Sequence, residues 1–200
     1  MIETFSPKWF YINKLDDKNQ KEVNNLFKKF IKNDNNFGQP SGWNCNVKTS
    51  FQHPNNIQAP WDQFLDITKP RFNEFLNEIG FHKNAEIQTK EIWANKYRRG
   101  DSQEYHTHST CDCNLSMVYF HTVNEDDHCK FVFYNNDRDN YQLSGLSDVL
   151  SIPNAHCEPI IEQGGILIFP SFYPHLVSPH RGRRERITFS ANFNIRAKKI

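Results

Sequence analysis

From Arg186 to Phe193 the chain alternates without a break. Arg186, Thr188, Ser190 and Asn192 occupy one set of positions, and Ile187, Phe189, Ala191 and Phe193 the other. Period two is that of a β-strand, whose successive side chains point to opposite faces of a sheet. An apolar face opposed to a polar one that carries an arginine needs two different surroundings. One side calls for a hydrophobic layer, such as packed helices, and the other for a wet cavity. The basic turn just before it, Arg181–Arg184, reads as solvent-exposed, whereas Arg186 stands on the strand itself.

The rest of the chain supplies both surroundings. Residues 1–15 read as a short strand through Phe5, Trp9, Phe10, Tyr11 and Ile12. Asp16 or Asp17 can cap a helix running to about Asn33, with Val23, Leu26, Phe27, Phe30 and Ile31 forming its apolar stripe. A loop follows at 33–43 and a short strand at 44–52. A second helix is expected over 60–79, broken or kinked at Pro70 and ended by Gly80. From residue 85 short β-like runs take over, at 86–98, 114–122, 129–134, 158–161, 165–170, 175–178 and 186–195. The polar stretch 135–157 reads as an insertion or lid. The expected fold is mainly β with N-terminal helices packed on one sheet of a jelly-roll barrel. We read residues 1–200 as one domain, with 1–82 as helical support and 83–197 as the barrel core.

A net charge of +1 gives nothing global to draw the chain to nucleic acid or to an anionic membrane. No run approaches the roughly 18 apolar residues of a membrane span. The first residues, acidic and without an apolar core, do not read as a signal peptide. With five cysteines and no secretion signal, reduced thiols in a cytoplasmic compartment are the simpler expectation. Seventeen Phe can fill a core despite a mean hydropathy of −0.77.

His106 and His108 are one residue apart, which on a strand puts two imidazoles on one face. Two histidines plus a third ligand, with positions left open, describe a catalytic iron or zinc site. His175, after the apolar run 165–170, is the expected third ligand. Asp112 is the alternative, and a local zinc site of His106, His108, Cys111 and Cys113 is a further one. Arg186 carries a fork suited to a carboxylate, and Thr188 and Ser190 share its face.

Together these residues resemble the iron(II)/2-oxoglutarate-dependent oxygenases, in particular the prolyl-hydroxylase-like double-stranded β-helix group. The resemblance rests on Tyr97-Arg98-Arg99-Gly100, His106, His175 and Arg186, and covers about residues 90–195. Segments around Trp93 and Asn95, Ser116 to Tyr119 and Ser190 to Asn194 look like a small subfamily of bacteria and phages. It implies Fe(II) on His106, His108 and His175, and 2-oxoglutarate with its far carboxylate on Arg186, helped by Thr188, Ser190 or Tyr97. It also implies O2 as co-substrate and hydroxylation of a small molecule, amino acid or peptide with release of succinate and CO2. The family's usual carboxylate ligand is replaced by His108. Trp93, Asn95, Asn114 and Asn192 are pocket candidates, and 35–60 and 135–157 the expected cover.

The cupins are similar too. Gly100-x5-His106-x-His108-x3-Asp112 and Gly164-x5-Pro170-x4-His175 follow their pattern with Asp for Glu and Phe172 for Gly. That resemblance implies the same barrel with a metal-dependent dioxygenase or isomerase that does not use 2-oxoglutarate. A non-catalytic metal- or ligand-binding barrel is the third alternative. Aromatic-rich edge strands leave room for a homodimer, and for a phage protein cytoplasmic means the host's cytoplasm.

Overall fold

Two antiparallel sheets face each other across the polar space that the 186–193 alternation requires. The computed structural model describes residues 8–80, 85–108, 110, 112–123, 129–135, 137, 140, 143–145 and 156–197. In chain order its elements are β1 (Tyr11–Lys14), α1 (Asp17–Lys32), β2 (Lys48–Thr49), α2 (Trp61–Glu78), β3 (Ala85–Tyr97), β4 (Gln103–His106) and β5 (Leu115–Thr122). Then follow β6 (Phe131–Tyr134), β7 (His156–Cys157), β8 (Gly165–Pro170), β9 (His175–Val177) and β10 (Arg186–Ala197). The larger sheet has the order β1-β8-β5-β10-β3-β2 and the smaller β4-β9-β6-β7. From β3 onward the chain crosses between the two sheets again and again, which is the winding of a double-stranded β-helix.

The helices form because their apolar residues recur at three- and four-residue spacing. Asp16 caps α1 by accepting from the Asn19 backbone N–H at 2.8 Å. Val23, Phe27, Phe30 and Ile31 of α1 and Trp61, Phe64, Phe72 and Phe75 of α2 are buried. They meet the apolar face of β10: Phe27 and Phe64 lie 4.4 and 5.3 Å from Phe189, and Phe72 lies 5.0 Å from Phe193. Such ring pairs add about 0.5–1.5 kcal/mol each beyond area burial. A second apolar cluster, including Phe120, Phe131, Phe133, Leu167 and Phe169, fills the space between the sheets behind the cavity.

Several expectations need correction. Pro70 does not break α2, which runs unbroken from Trp61 to Glu78. Pro70 sits on the solvent side, where water can satisfy the carbonyl its missing N–H leaves open. Residues 158–161 form no strand, because Pro159 cannot donate to a ladder and Ile160 is exposed; pairing falls instead on His156–Cys157. The strand expected at 44–52 shrinks to Lys48–Thr49. Phe5, Cys111 and most of the expected lid 135–157 lie outside the described residues. No described helix is long and apolar enough to cross a membrane.

Candidate metal centre

β4 and β9 are neighbours in the smaller sheet, and their register sets His106 directly opposite His175. β4 ends at His106, so His108 is not on the strand. It keeps the strand's direction because its backbone N–H donates to Ser171 O at 2.9 Å. The three rings therefore converge: centroids are 4.2 Å apart for His106–His175, 4.9 Å for His106–His108 and 5.2 Å for His108–His175. One nitrogen from each ring lies within 4.8 Å of the others. Nitrogens this close can share one ion with small movements of the rings.

The donor chemistry fits such an ion. The backbone carbonyls of Glu104 and Tyr173 accept from Nδ1 of His106 (2.6 Å) and His175 (2.8 Å). A carbonyl can only accept, so the proton is on Nδ1 and the Nε2 lone pair turns inward. Carbonyl-anchored imidazoles of this kind are how metal sites fix ring orientation and tautomer. Burial lowers the affinity of all three rings for a proton. For His108, burial and then the neighbouring His106 bring the pKa down to about 3. Neutral imidazoles with free lone pairs are ready ligands at neutral pH. Phe131 stacks on His175 at 5.0 Å and holds its plane.

These rings line a narrow cavity of about 390 Å³ of atom-free space with its mouth included, little of it wide enough for a water molecule. Trp93, Tyr97, Arg186, Thr188, Ser190 and Asn192 line it as well. Arg186 is 1% exposed, donates from Nη1 to Cys129 O at 2.9 Å, and rests against the Tyr97 and Phe120 rings. The turn between β3 and β4 depends on Gly100, whose φ of 93° is open to glycine and strained for other residues. That turn returns the chain so that the Tyr97 hydroxyl donates to Gln103 Oε1 at 3.0 Å. The Gln103 amide nitrogen is then 3.5 Å from His106 Nε2. Gln103 and Ser116 are cavity residues that sequence reading missed; Gln103, three residues before His106 on β4, had only its spacing to mark it.

Four candidates are not among the residues that line the cavity. Asp112 is exposed and held by Arg196 at 2.5 Å and Lys90 at 3.7 Å, outside the three-histidine group. Asn114 is exposed and spends its amide on the Ile195 backbone, so it is not a pocket residue. Asn95 is buried on the same face of β3 as Trp93 and Tyr97 and donates to the cavity residue Ser190 Oγ at 3.3 Å, without itself lining the cavity. Cys113 is a buried free thiol and is likewise outside the three-histidine group.

A family model described as "Putative 2OG-Fe(II) oxygenase" matches residues 91–192. Among solved structures, a Pseudomonas putida prolyl-4-hydroxylase is similar with a TM-score of 0.62 at 13% identity, over 96% of this chain and 94% of that one. A Trichoplax adhaerens prolyl hydroxylase, solved with a hypoxia-inducible-factor peptide, gives 0.64 at 15% over 92% and 83%. Streptomyces hygroscopicus HygX, solved with nickel and 2-oxoglutarate, gives 0.58 at 11% over 94% and 83%. No curated protein sequence matches the chain significantly.

Proposed function

The chain belongs to the 2OG-Fe(II) oxygenase family, and on that premise we propose that His106, His108 and His175 hold the iron while Arg186 holds the far carboxylate of 2-oxoglutarate. The enzyme is an Fe(II)- and 2-oxoglutarate-dependent dioxygenase. Bound iron and 2-oxoglutarate supply the O2 activation, one oxygen atom entering the product and the other entering succinate as CO2 leaves. The observation that carries the assignment is the convergence of three imidazoles, two of them with Nε2 turned inward, in a cavity that a buried guanidinium also lines.

The chain's own residues bind, orient and exclude water. Arg186 offers a planar fork to a carboxylate, and Thr188 beside it can add a hydroxyl. Burial raises the Tyr97 phenol above its ordinary range, so it stays a neutral donor. Through Gln103 it fixes an amide next to His106. Phe120, Phe131 and Phe169 close the back of the cavity to solvent. Three neutral imidazoles leave the iron one unit more positive than two imidazoles and a carboxylate would. That charge favours the dianion of 2-oxoglutarate.

A small molecule, an amino acid or a peptide is the substrate class, with hydroxylation of a C–H bond as the outcome. Both ends of the site come from one chain, so a homodimer is not needed to complete it. Free thiols at Cys45, Cys113 and Cys157 fit a reducing, cytoplasmic compartment. The test is Fe(II)-dependent conversion of 2-oxoglutarate to succinate, followed without primary substrate. We expect slow turnover in the wild type and none in Arg186→Ala. Unchanged 2-oxoglutarate binding in Arg186→Ala would contradict the anchor.

A further inference from the structure

One polar atom lining the cavity has no use in that scheme. The Trp93 side chain is 3% exposed, and its Nε1–H has no hydrogen-bond partner among the described residues. A buried donor left unmade costs about 1–3 kcal/mol, so such groups usually have a partner outside the chain. Trp93 lines the cavity with its ring 5.8 Å from that of His108.

The register says which ligand it faces. Arg186 is opposite Tyr97 and Ser190 is opposite Trp93. Four residues of strand separate the two positions by about 13 Å. The carboxyl carbons of 2-oxoglutarate lie about 5 Å apart at about 1.5 Å per bond. An acid anchored on Arg186 therefore ends before Trp93, which leaves the indole N–H for another ligand of the same cavity.

An aromatic wall continues outward from it. Phe51 meets the Trp93 ring edge-on at 5.0 Å, and Trp43 stacks on Phe51 at 5.6 Å. The turn carrying Phe51 is tied to β3: Ser50 N donates to Ala94 O, Ala94 N to Ser50 Oγ, and Thr49 Oγ1 to Ala94 O. Gln52, next in line, takes a left-handed φ of 54°, a strain that these ties sustain. Beside the cavity the exposed Glu91 accepts from the cavity residue Asn192 at 2.9 Å.

Granting the site reading above, we infer that Trp93 Nε1–H positions the primary substrate by donating to a neutral carbonyl oxygen near the carbon to be oxidised, with an apolar face of that substrate against Phe51. Neutrality follows from the surroundings. Aromatic walls do not solvate a charge, and Glu91, hydrogen-bonded to the cavity residue Asn192, repels a carboxylate. A carbonyl accepts only, which matches a donor-only indole. Amides, acylated amino acids and peptides belong to this class, while free anionic acids do not.

The test uses protein labelled with 15N at its indoles, loaded with Zn(II) and 2-oxoglutarate, and titrated with N-acetyl amino-acid amides. Trp93→Phe assigns the Trp93 indole signal. At least one amide should move that signal downfield. Trp93→Phe should then weaken the same amide about tenfold, the worth of one hydrogen bond, and change 2-oxoglutarate binding less than threefold. Phe51→Ala, which leaves the indole in place, should weaken that amide too. If no amide moves the signal, the N–H serves water alone and the proposal is overturned. Equal loss of 2-oxoglutarate in Trp93→Phe overturns it as well, by assigning the donor to the co-substrate. Wild-type protein that takes up Zn(II) but not 2-oxoglutarate overturns the site reading itself, and the inference with it.

Discussion

The two faces of β10 are built from one stretch of chain and live in different solvents. On one face Ile187, Phe189, Ala191 and Phe193 lie in the cluster that the helices cover. On the other, Arg186, Thr188, Ser190 and Asn192 line the cavity. All eight are buried, so burial alone does not separate them. What separates them is what they touch: rings of α1 and α2 on one side, imidazoles and hydroxyls across a gap on the other. The helical face should therefore carry stability and the cavity face binding. Changes on each face should show up in different measurements.

The largest effect is expected across the gap from β10. His175→Ala should reduce bound iron from one per chain to under a tenth and succinate formation at least 1,000-fold, as for loss of an ion ligand (roughly 4 kcal/mol or more). The melting temperature of the metal-free protein should fall by much less than in a core variant. A loss of folding in metal-free His175→Ala would blur the two faces into one.

Next comes the helical face. Phe189→Ala removes a ring that packs on Phe27, Trp61 and Phe64. It should cost about 3–5 kcal/mol in denaturant unfolding, while 2-oxoglutarate affinity in the folded fraction stays within a few-fold. Arg186→Ala, three residues away on the same strand, should invert the pattern. Its 2-oxoglutarate Kd should rise about 100-fold, in line with a bidentate charged pair, and Arg186→Lys should recover only part of it.

The pH dependence divides the faces more finely. His121 is buried against Phe189 on the helical side, and burial lowers its pKa to about 4. With the folded value below the unfolded one near 6.5, the unfolded chain binds more protons between those values. Stability is then highest above pH 6.5 and falls as the pH drops toward 4. One such group gives a slope of at most about 1.4 kcal/mol per pH unit. His121→Gln should remove its share of that slope in the metal-free protein and leave iron stoichiometry at neutral pH unchanged. The smallest effect expected is from Thr188→Val, which trims one hydroxyl from the cavity and should raise the 2-oxoglutarate Kd by about threefold to tenfold.

Much of this was legible in the sequence because it is local. The alternation at 186–193 and the stripes of α1 and α2 depend on period, and period survives folding; the spacing of His106 and His108 marked the pair although the strand ends at His106. What was not legible depends on partners distant in sequence. Gln103 matters only because the Gly100 turn brings it under the Tyr97 hydroxyl. Phe51 reaches the cavity residue Trp93, and Trp43 reaches Phe51, through ties between Ser50 and β3 that no local pattern announces. Asp112 matched a spacing but found Arg196 and Lys90 instead of the histidines. Pro70 was misread because what decides its cost is the solvent side on which it falls.

The sharpest single measurement is the iron stoichiometry of His108→Ala beside that of Asp112→Ala, each purified metal-free and reloaded anaerobically with Fe(II). A three-imidazole centre predicts under a tenth of an iron per chain in His108→Ala and close to one in Asp112→Ala. Full iron in His108→Ala together with loss in Asp112→Ala would contradict it and return the third ligand to a carboxylate.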